Sequence, residues 1–283
     1  MARGRGTEGQ GNRAAVAGVI RLPYVLPMMT LPQPPALSPD RTAFFLDVDG
    51  TLAEIVNDPA KASVPAPLRE TLAALARLAG GALALVSGRS IAQLDAMLHP
   101  LILPLAGVHG LERRDIGGAI TRLEIDTAAH QGLAAAITAF ARARPGLQAE
   151  EKPGSVALHY RNRPELAAEC MGFMAAQRAR DSRLTLVEGK MVAELKFGTR
   201  DKRQAIADFM TEAPFRGRRP FFAGDDITDE AGFAGVNAAG GVSVKIGSGP
   251  SAAHHRLADP AALARWLENV IAMAAPDGEQ TRR

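Results

Sequence analysis

Two aspartates lie two positions apart at the end of an apolar run in FFLDVDGTL, residues 44–52. Asp47 follows directly on Phe44–Leu46, and Asp49 comes just before Gly50. The apolar run predicts burial, yet burying carboxylates without compensation is expensive. A pair of acids at this position therefore indicates a site at which a cation offsets their charge.

Other reactive groups also come directly after apolar runs. Ser87 follows ALALV, Asp225 and Asp226 follow PFFAG, and Lys202 opens a later predicted helix. Ligands of open parallel sheets bind at the carboxyl ends of the strands, so we expect these groups to meet Asp47 at one sheet edge. Oxygen-only ligands favour a hard cation such as Mg²⁺. The predicted metal ligands are Asp47, Asp49, Asp225 and Asp226, with Asp229 as an alternative to Asp226.

This set of groups suits phosphoryl transfer. A carboxylate can attack phosphorus and form an aspartyl-phosphate, which divides hydrolysis into two steps. We predict Asp47 as this nucleophile, and Asp49 as the group that protonates the leaving oxygen and then accepts a proton from water. The transferring group needs mainly positioning and charge neutralisation. The predicted phosphate-binding residues are Gly50, Thr51, Ser87, Gly88, Arg89 and Lys202.

The segments around these groups alternate between strand and helix patterns. Apolar runs of strand length at residues 42–48, 82–88 and 101–107 alternate with helical spacing in APLRETLAALARLAGG and SIAQLDAML. The same pattern returns in DKRQAIADFM, with Asp201 as its N-cap, and in RPFFAGDDITDE, GGVSVKIG and PAALARWLENVIAMA. Such alternation indicates a parallel sheet with right-handed crossovers. We predict an α/β fold with a Rossmann-like parallel-sheet core, formed by residues 41–112 and 197–275.

The residues between these two segments have a different pattern. AITRLEI, GSVALHYR and the hairpin LTLVEGKMVAELKF, predicted to turn at Glu188–Gly189, have strand character, and AAHQGLAAAITAFARA and PELAAECMGFMAAQRA are helical. Apolar and polar side chains alternate in VALHYR and KMVAELK, which predicts a mostly antiparallel sheet with helices on one face and polar side chains on the other. We predict an inserted α+β cap domain over residues 113–196.

The composition excludes several classes of protein. The net charge is only +3, aromatic residues are few and no basic stripe is present, which disfavours nucleic-acid binding. No apolar run approaches the roughly 18 residues that span a bilayer, so we predict no membrane partner and a cytoplasmic location. The single cysteine, Cys170, excludes an internal disulfide. Residues 1–40 are predicted to be a flexible N-terminal extension, and residues 276–283 a frayed tail.

Several motifs resemble those of a known superfamily. DVDGT, the Ser-Gly-Arg at residues 87–89, a later lysine and GDDITDE are similar to the four motifs of the haloacid dehalogenase-like phosphatases, which depend on Mg²⁺ and use an aspartyl-phosphate. Within that superfamily the chain resembles the trehalose-6-phosphate phosphatases in GVHGLE (107–112), EEKPGSVALHYR (150–161) and EGKMVAEL (188–195). The resemblance covers about residues 42–272.

The resemblance implies an enzyme that hydrolyses trehalose 6-phosphate to trehalose and phosphate, with the cap selecting the sugar. Carboxylates and ammonium groups on one strand face can bind the hydroxyls of a disaccharide together. The residues implied in binding this small sugar phosphate are His109, Glu150, Lys152, His159, Arg161, Lys190 and Glu194. A trehalose-phosphate synthase of the same pathway is the implied partner.

Some alternatives stay open from the sequence alone. Lys202 is followed by Arg203, where the family commonly has glycine, so Lys196 is a rival for the phosphate-binding lysine. The cap could select a different sugar phosphate, or the aspartyl-phosphate could pass to another hydroxyl. A regulatory homologue without activity is a further alternative, although the intact Asp47 and Ser87 argue against it.

Overall fold

The apolar run before Asp47 forms an inner strand of a large sheet. The computed structural model describes residues 31–56 and 61–274. The strands within these ranges are β1 (Thr42–Leu46), β2 (Leu83–Val86), β3 (Leu105–Gly107), β4 (Glu112–Arg114), β5 (Ile120–Arg122), β6 (Gln148–Lys152), β7 (Ser155–His159), β8 (Leu184–Gly189), β9 (Val192–Phe197), β10 (Arg219–Gly224), β11 (Val242–Ile246) and β12 (His255–Leu257). The α-helices are α1 (Ala66–Leu78), α2 (Ile91–Leu98), α3 (Thr127–Arg142), α4 (Ala167–Arg180), α5 (Lys202–Met210), α6 (Glu230–Ala238) and α7 (Pro260–Ala274).

Eight of these strands form the large sheet, in the order β12-β11-β10-β1-β2-β3-β4-β5. The strands from β12 to β3 pair in parallel, whereas β4 and β5 are antiparallel. Every residue of β1 is buried, as its continuous apolar sequence predicts for a strand covered on both faces. The predicted α/β class with a parallel-sheet core is confirmed.

Aromatic side chains pack on both faces of β1. The ring of Phe44 lies 5.6 Å from that of Phe221, which stacks at 4.8 Å on Trp266 of α7. The ring of Phe45, the next residue along β1, lies 6.0 Å from that of Phe209 on α5. Successive side chains of a strand point to opposite faces, so helices cover the sheet on both sides. This packing fixes the strand ends at which the candidate functional residues lie.

A second sheet has four strands in the order β6-β7-β9-β8 and is antiparallel throughout. Val156, Leu158 and Leu195 belong to a second apolar cluster, which also contains side chains of α3 and α4. His159 and Glu194 lie on the opposite face and line a cavity. The predicted alternation of apolar and polar faces in these strands is confirmed.

Two local predictions differ from the structure, and one strand was not predicted. β5 pairs with β4 and so extends the large sheet to Arg122, whereas the sequence assigned this strand to the cap. The hairpin turns at Lys190–Met191 rather than at Glu188–Gly189, because Gly189 still pairs with Val192. The strand β6 was not predicted, since QAEEK contains no large apolar residue. The limits of the two domains stay predictions.

The described part of the predicted N-terminal extension packs against the rest of the chain. The backbone N–H of Arg256 donates to the carbonyl of Pro32 at 2.9 Å, and Leu37 packs against the large apolar core. For residues 31–40 the prediction of a flexible extension is wrong, because this Pro-rich segment supplies apolar surface to the core. Residues 1–30 and the predicted tail at 276–283 lie outside the described residues. Among the helices of the described ranges, none combines the length and the hydropathy needed to cross a membrane.

Candidate active site

Three functional groups leave the large sheet at the same edge. Asp47 follows β1, Ser87 follows β2 and Asp225 follows β10. The last residue of β1 lies opposite Leu85 of β2 and Ala223 of β10 in the parallel ladders. These strands therefore end at nearly the same level, which brings the three side chains together as predicted.

Lys202 reaches the same point from a helix. Its Nζ donates to Oδ1 of Asp47 at 2.7 Å and to Oδ1 of Asp229 at 2.6 Å. The predicted N-cap Asp201 begins α5 and forms a capping box with Gln204, which holds Lys202 in the first turn. Burial would lower the pKa of Lys202, but the carboxylates of Asp229 and Asp47 outweigh it and raise this pKa. The side chain is therefore a buried ammonium.

The rival lysine lies elsewhere. Lys196 belongs to β9, and its Nζ donates to the carbonyl of Arg200. Among the described residues that line the cavity, Lys202 is present and Lys196 is not. The geometry therefore favours Lys202 over Lys196 as the phosphate-binding lysine.

Asp229 holds the loop that follows β10. Its Oδ2 accepts the backbone N–H groups of Asp225 and Asp226, each at 2.9 Å, while its Oδ1 accepts from Lys202. Both oxygens thus have donors, and the residue is fully buried. Asp229 therefore fixes the position of Asp225 relative to Lys202.

Three buried carboxylates lie close enough to share a cation. Oxygen atoms of Asp47, Asp225 and Asp229 lie within 4.8 Å of one another. Oδ1 of Asp225 is buried and has no hydrogen-bond partner within the described part of the chain. Burial raises the pKa of Asp47, Lys202 lowers it and the neighbouring carboxylates raise it again, so that it lies well above its ordinary value. Mutually repelling acids with an unpartnered buried oxygen fit a hard divalent cation.

This group differs from the predicted ligand set at two positions. The predicted set was Asp47, Asp49, Asp225 and Asp226, whereas the structure groups Asp229 with Asp47 and Asp225. β1 ends at Leu46, so the strand alternation that would place Asp49 beside Asp47 no longer applies. Asp226 points towards the second sheet, where its Oδ2 accepts the backbone N–H of Lys190 at 3.3 Å.

Asp49 is paired with an arginine. Nε of Arg89 donates to Oδ2 of Asp49, and Nη2 donates to Oδ1, both at 2.7 Å. A bidentate pair of this kind is among the stronger hydrogen-bonded contacts in proteins. In this conformation the guanidinium of Arg89 binds a carboxylate, and its predicted contact with phosphate stays a prediction.

Two glycines allow close packing around these groups. Gly50 has a φ of +80°, and a Cβ at this position would lie 2.2 Å from Oδ2 of Asp225. A Cβ at Gly88 would lie 2.8 Å from Nε2 of His109. Both loops therefore need glycine because a functional side chain occupies the space next to the backbone.

One cavity of about 180 Å³ lies between the edge of the large sheet that carries the carboxylates and the polar face of the second sheet. From the first come Asp47, Asp49, Ser87, Gly88, Arg89, Lys202, Asp225 and Asp226. The residues predicted to bind the sugar phosphate also line it: His109, Glu150, Lys152, His159, Arg161, Lys190 and Glu194. The predicted residues Gly50 and Thr51 are not in this lining; the hydroxyl of Thr51 donates to Oδ2 of Asp47 at 3.4 Å.

Glu194 belongs to a buried polar cluster in this cavity. Its Oε2 accepts from Nζ of Lys152 at 2.9 Å and lies 3.8 Å from Nε2 of His109. Burial would raise the pKa of Glu194, but Lys152 and His109 outweigh it and lower this pKa. Its Oε1 is buried and has no partner among the residues that the structure describes. Glu194 is therefore an ionised acceptor with room for one more donor.

Two lysines of the second sheet reach across the cavity. Nζ of Lys190 donates to the carboxylate of Asp225, and the Lys190 carbonyl accepts from Nη2 of Arg161 at 2.8 Å. Nζ of Lys152 donates to the carbonyl of Gly88 at 3.0 Å. The cavity is thus bridged by polar contacts on two sides.

Several residues at or next to the cavity were not predicted from the sequence, among them Gln148, Asn162 and Thr228 of the lining and Gln93, which contacts Glu150. Gln93 donates through Nε2 to Oε1 of Glu150 at 2.6 Å. Its spacing from Ser90 is that of a capping box, so this signal was available in the sequence. Asp229 entered only as an alternative ligand, because its contacts depend on a loop that folds back on itself.

Comparisons with known proteins identify relatives of this chain. The sequence profile of the family described as trehalose-phosphatase matches residues 45–263. The chain is 43% identical over 254 residues to trehalose-6-phosphate phosphatase of Escherichia coli (strain K12), with 89% of this chain and 94% of that protein covered. It is 40% identical over 210 residues to a probable trehalose-phosphate phosphatase of Sinorhizobium fredii (strain NBRC 101917 / NGR234), with 74% and 78% covered.

A solved structure shares the fold. The C-terminal domain of trehalose-6-phosphate phosphatase from C. albicans superposes with a TM-score of 0.74 at 22% identity, covering 85% of this chain and 99% of that one. At that identity the likeness concerns the fold alone. The family profile includes Asp47, Lys202 and Asp225 within its limits. A profile match over most of the chain, together with a relative at 43% identity that is covered almost end to end, shows that this chain belongs to the trehalose-phosphatase family.

Proposed function

We propose that this chain hydrolyses trehalose 6-phosphate to trehalose and inorganic phosphate. The observation that carries the proposal is the contact of Asp47 with Lys202 at 2.7 Å, in a cavity that Glu194 and Lys152 also line. The first pair supplies a nucleophile and a cation for a phosphate, and the second supplies groups that bind hydroxyls. Family membership supports the phosphatase chemistry, and the name of the E. coli relative supports the choice of sugar.

The proposed reaction has two steps on one aspartate. A carboxylate oxygen of Asp47 attacks phosphorus, the bond from phosphorus to the sugar oxygen breaks, and that oxygen takes a proton from Asp49. This role requires that Asp49 is protonated and released from its pair with Arg89. Water then attacks phosphorus and gives a proton to Asp49, and the bond to Asp47 breaks to release phosphate. We assign the phosphoryl oxygens to Lys202 and Ser87, because both line the cavity with Asp47.

The proposed cofactor is Mg²⁺. Asp47 and Asp225 would hold it. Both belong to the cluster of three close carboxylates, and Oδ1 of Asp225 is buried without a partner in the described residues. Asp229 is less suited as a ligand, since its oxygens accept hydrogen bonds at 2.6, 2.9 and 2.9 Å, whereas within the described ranges Oδ2 of Asp47 has only the 3.4 Å contact from Thr51. When bound, the cation neutralises charge on the transferring phosphoryl group.

Removal of divalent cations is expected to abolish phosphate release, and Mg²⁺ is expected to restore it. Because a cation that binds only the folded chain stabilises it, Mg²⁺ should also raise the melting temperature of the wild type. The Asp225→Asn variant, which loses a carboxylate of the group, should show little or no such rise. Full activity after exhaustive chelation would contradict a metal-dependent mechanism.

The polar face of the second sheet, here called the cap face, is proposed to select the sugar. Oε1 of Glu194 is a buried acceptor without a partner in the described residues, and a sugar hydroxyl can donate to it. Lys152 and His109 hold the other oxygen of this carboxylate in place. A site built to pair with a hydroxyl discriminates strongly against substrates that lack one, because its own polar group then stays unpaired.

Replacing Glu194 by glutamine is expected to lower kcat/KM for trehalose 6-phosphate by roughly 100-fold, with a change of less than about threefold for a small aryl phosphate. The matched control is Glu151→Gln in the same sheet, at an acid whose side chain is 59% exposed and contacts His130. This control should leave both substrates unaffected. Equal losses on the two substrates in Glu194→Gln would refute a sugar-reading role for the cap face.

The experiment that tests the proposed function is phosphate release from a panel of sugar phosphates with Mg²⁺. A strong preference for trehalose 6-phosphate supports the proposal. Similar rates on many sugars would retain the phosphatase chemistry and overturn the proposed specificity. Folded protein without activity on any substrate would instead support a regulatory homologue.

A further inference from the structure

Gln93 lies in the first turn of α2, the helix that follows the loop of Ser87 and Gly88. Its Oε1 accepts the backbone N–H of Ser90 at 2.9 Å, and the Ser90 hydroxyl in turn accepts the backbone N–H of Gln93 at 3.3 Å. The next backbone N–H, that of Ile91, donates to the buried carboxylate of Glu112 at 2.9 Å. The start of this helix is therefore fixed by side chains from two directions.

The other end of the Gln93 amide contacts the second sheet. Its Nε2 donates to Oε1 of Glu150 at 2.6 Å. The backbone N–H of Ser90 requires an acceptor and the Glu150 carboxylate requires a donor, so only one orientation of the amide satisfies both. The capping contact thus holds Nε2 in the position from which it binds Glu150.

Glu150 is held on its other side by its own sheet. Its Oε2 lies 2.7 Å from Nε2 of His159 and 3.8 Å from Nζ of Lys152. Burial would raise the pKa of Glu150, but His159, Lys152 and Gln93 outweigh it and lower the pKa to about 2. Glu150 is therefore an ionised acceptor whose orientation depends on Gln93 as well as on the second sheet.

We propose that Gln93 is a specificity-determining positioning residue. Through the first turn of α2 it fixes Glu150 relative to the loop of Ser87 and Gly88, which we call the phosphate loop. Lys152, which donates to the carbonyl of Gly88, also holds the second sheet in position relative to this loop. The inference rests on the proposed function, because it requires a substrate with a phosphate and a sugar. Such a substrate is bound at Ser87 and Lys202 by one end and at Glu150 by the other.

This arrangement separates two kinds of substrate. A sugar phosphate contacts both the phosphate loop and Glu150, so its binding depends on the distance between them. A small aryl phosphate contacts the phosphate loop and the nucleophile, and it does not reach Glu150. Loss of the Gln93 contact therefore affects KM for the sugar phosphate and leaves the aryl phosphate nearly unchanged.

The test compares two substitutions at position 93. Gln93→Glu keeps an oxygen for the backbone N–H of Ser90 but places a second carboxylate against Glu150, and Gln93→Met removes both contacts. The matched control is Gln131→Glu, which makes the same chemical change at an exposed glutamine of α3 outside the cavity lining. We measure kcat and KM for trehalose 6-phosphate and for p-nitrophenyl phosphate.

Both Gln93 variants are expected to raise KM for trehalose 6-phosphate by about tenfold or more, the size expected for a lost hydrogen bond to a charged group. Neither should change kcat/KM for p-nitrophenyl phosphate by more than about twofold, and Gln131→Glu should leave both substrates unchanged. Equal losses on both substrates, or no loss on either, would overturn the role of Gln93. A wild type that hydrolyses p-nitrophenyl phosphate but not trehalose 6-phosphate would overturn the proposed function itself.

Discussion

Replacing Asp47 by asparagine is expected to lower phosphate release from trehalose 6-phosphate by roughly four orders of magnitude or more. Asparagine keeps the shape of the side chain and an oxygen for Lys202, but its amide does not attack phosphorus. Burial already disfavours a charge at position 47, so the free energy of unfolding should change by less than about 2 kcal/mol. Phosphate-release kinetics and denaturant unfolding of one preparation measure both effects.

The control for this variant is Asp226→Asn. Asp226 lines the same cavity, but its carboxylate lies outside the group formed by Asp47, Asp225 and Asp229. We expect this control to keep at least about a tenth of the wild-type activity. Similar losses in both variants would show that Asp226 is a metal ligand, as the sequence predicted. Substantial activity in Asp47→Asn would exclude Asp47 as the nucleophile.

Replacing Lys202 by methionine is expected to lower both activity and stability. The side chain is buried and neutralises Asp47 and Asp229, so its removal leaves two buried carboxylates without their cation. Breaking a buried pair in this way costs roughly 3 to 5 kcal/mol of unfolding free energy. Loss of the cation that we propose to stabilise the transferring phosphoryl group should lower kcat/KM by about a thousandfold.

Lys196→Met is the matched control, because it removes a lysine from β9 that the sequence offered as the rival. Lys196 donates to a backbone carbonyl, so its loss keeps the partners of Asp47, Asp225 and Asp229 in place. We expect kcat/KM to stay within about tenfold of the wild type. A larger loss of activity in Lys196→Met than in Lys202→Met would reverse the assignment. Kinetics with added Mg²⁺ and urea unfolding of both variants decide the matter.

The positions at strand ends were predictable because their signals are local. Asp47, Ser87 and Asp225 each follow an apolar run, and parallel strands bring such positions to one edge. The polar face of the second sheet was also predictable, since alternation along VALHYR and KMVAELK separates His159 and Glu194 from the apolar side chains. Both predictions depend on the residue pattern within single strands and on how strands pair in a sheet.

Contacts that depend on loop conformation were not predictable in the same way. Asp229 reaches Lys202 only because the segment after β10 folds back, and no periodicity in GDDITDE indicates this. Asp49 shares a motif with Asp47, yet the end of β1 separates their carboxylates and Arg89 binds the second. The turn at Lys190–Met191 was also placed wrongly, because Glu188–Gly189 has the composition of a turn but pairs as strand.

The discontinuous order of strands in the large sheet has a consequence for folding. β1 pairs with β10, and the hydrogen bond between Asp47 and Lys202 joins residues 155 positions apart. Contacts of such separation form late, because the loop between them must first be closed. The strands of the second sheet are close neighbours in the chain, so this sheet can complete while β1 still lacks a partner on one side. During synthesis from the N-terminus, Asp47 therefore meets Lys202 only after α5 has left the ribosome.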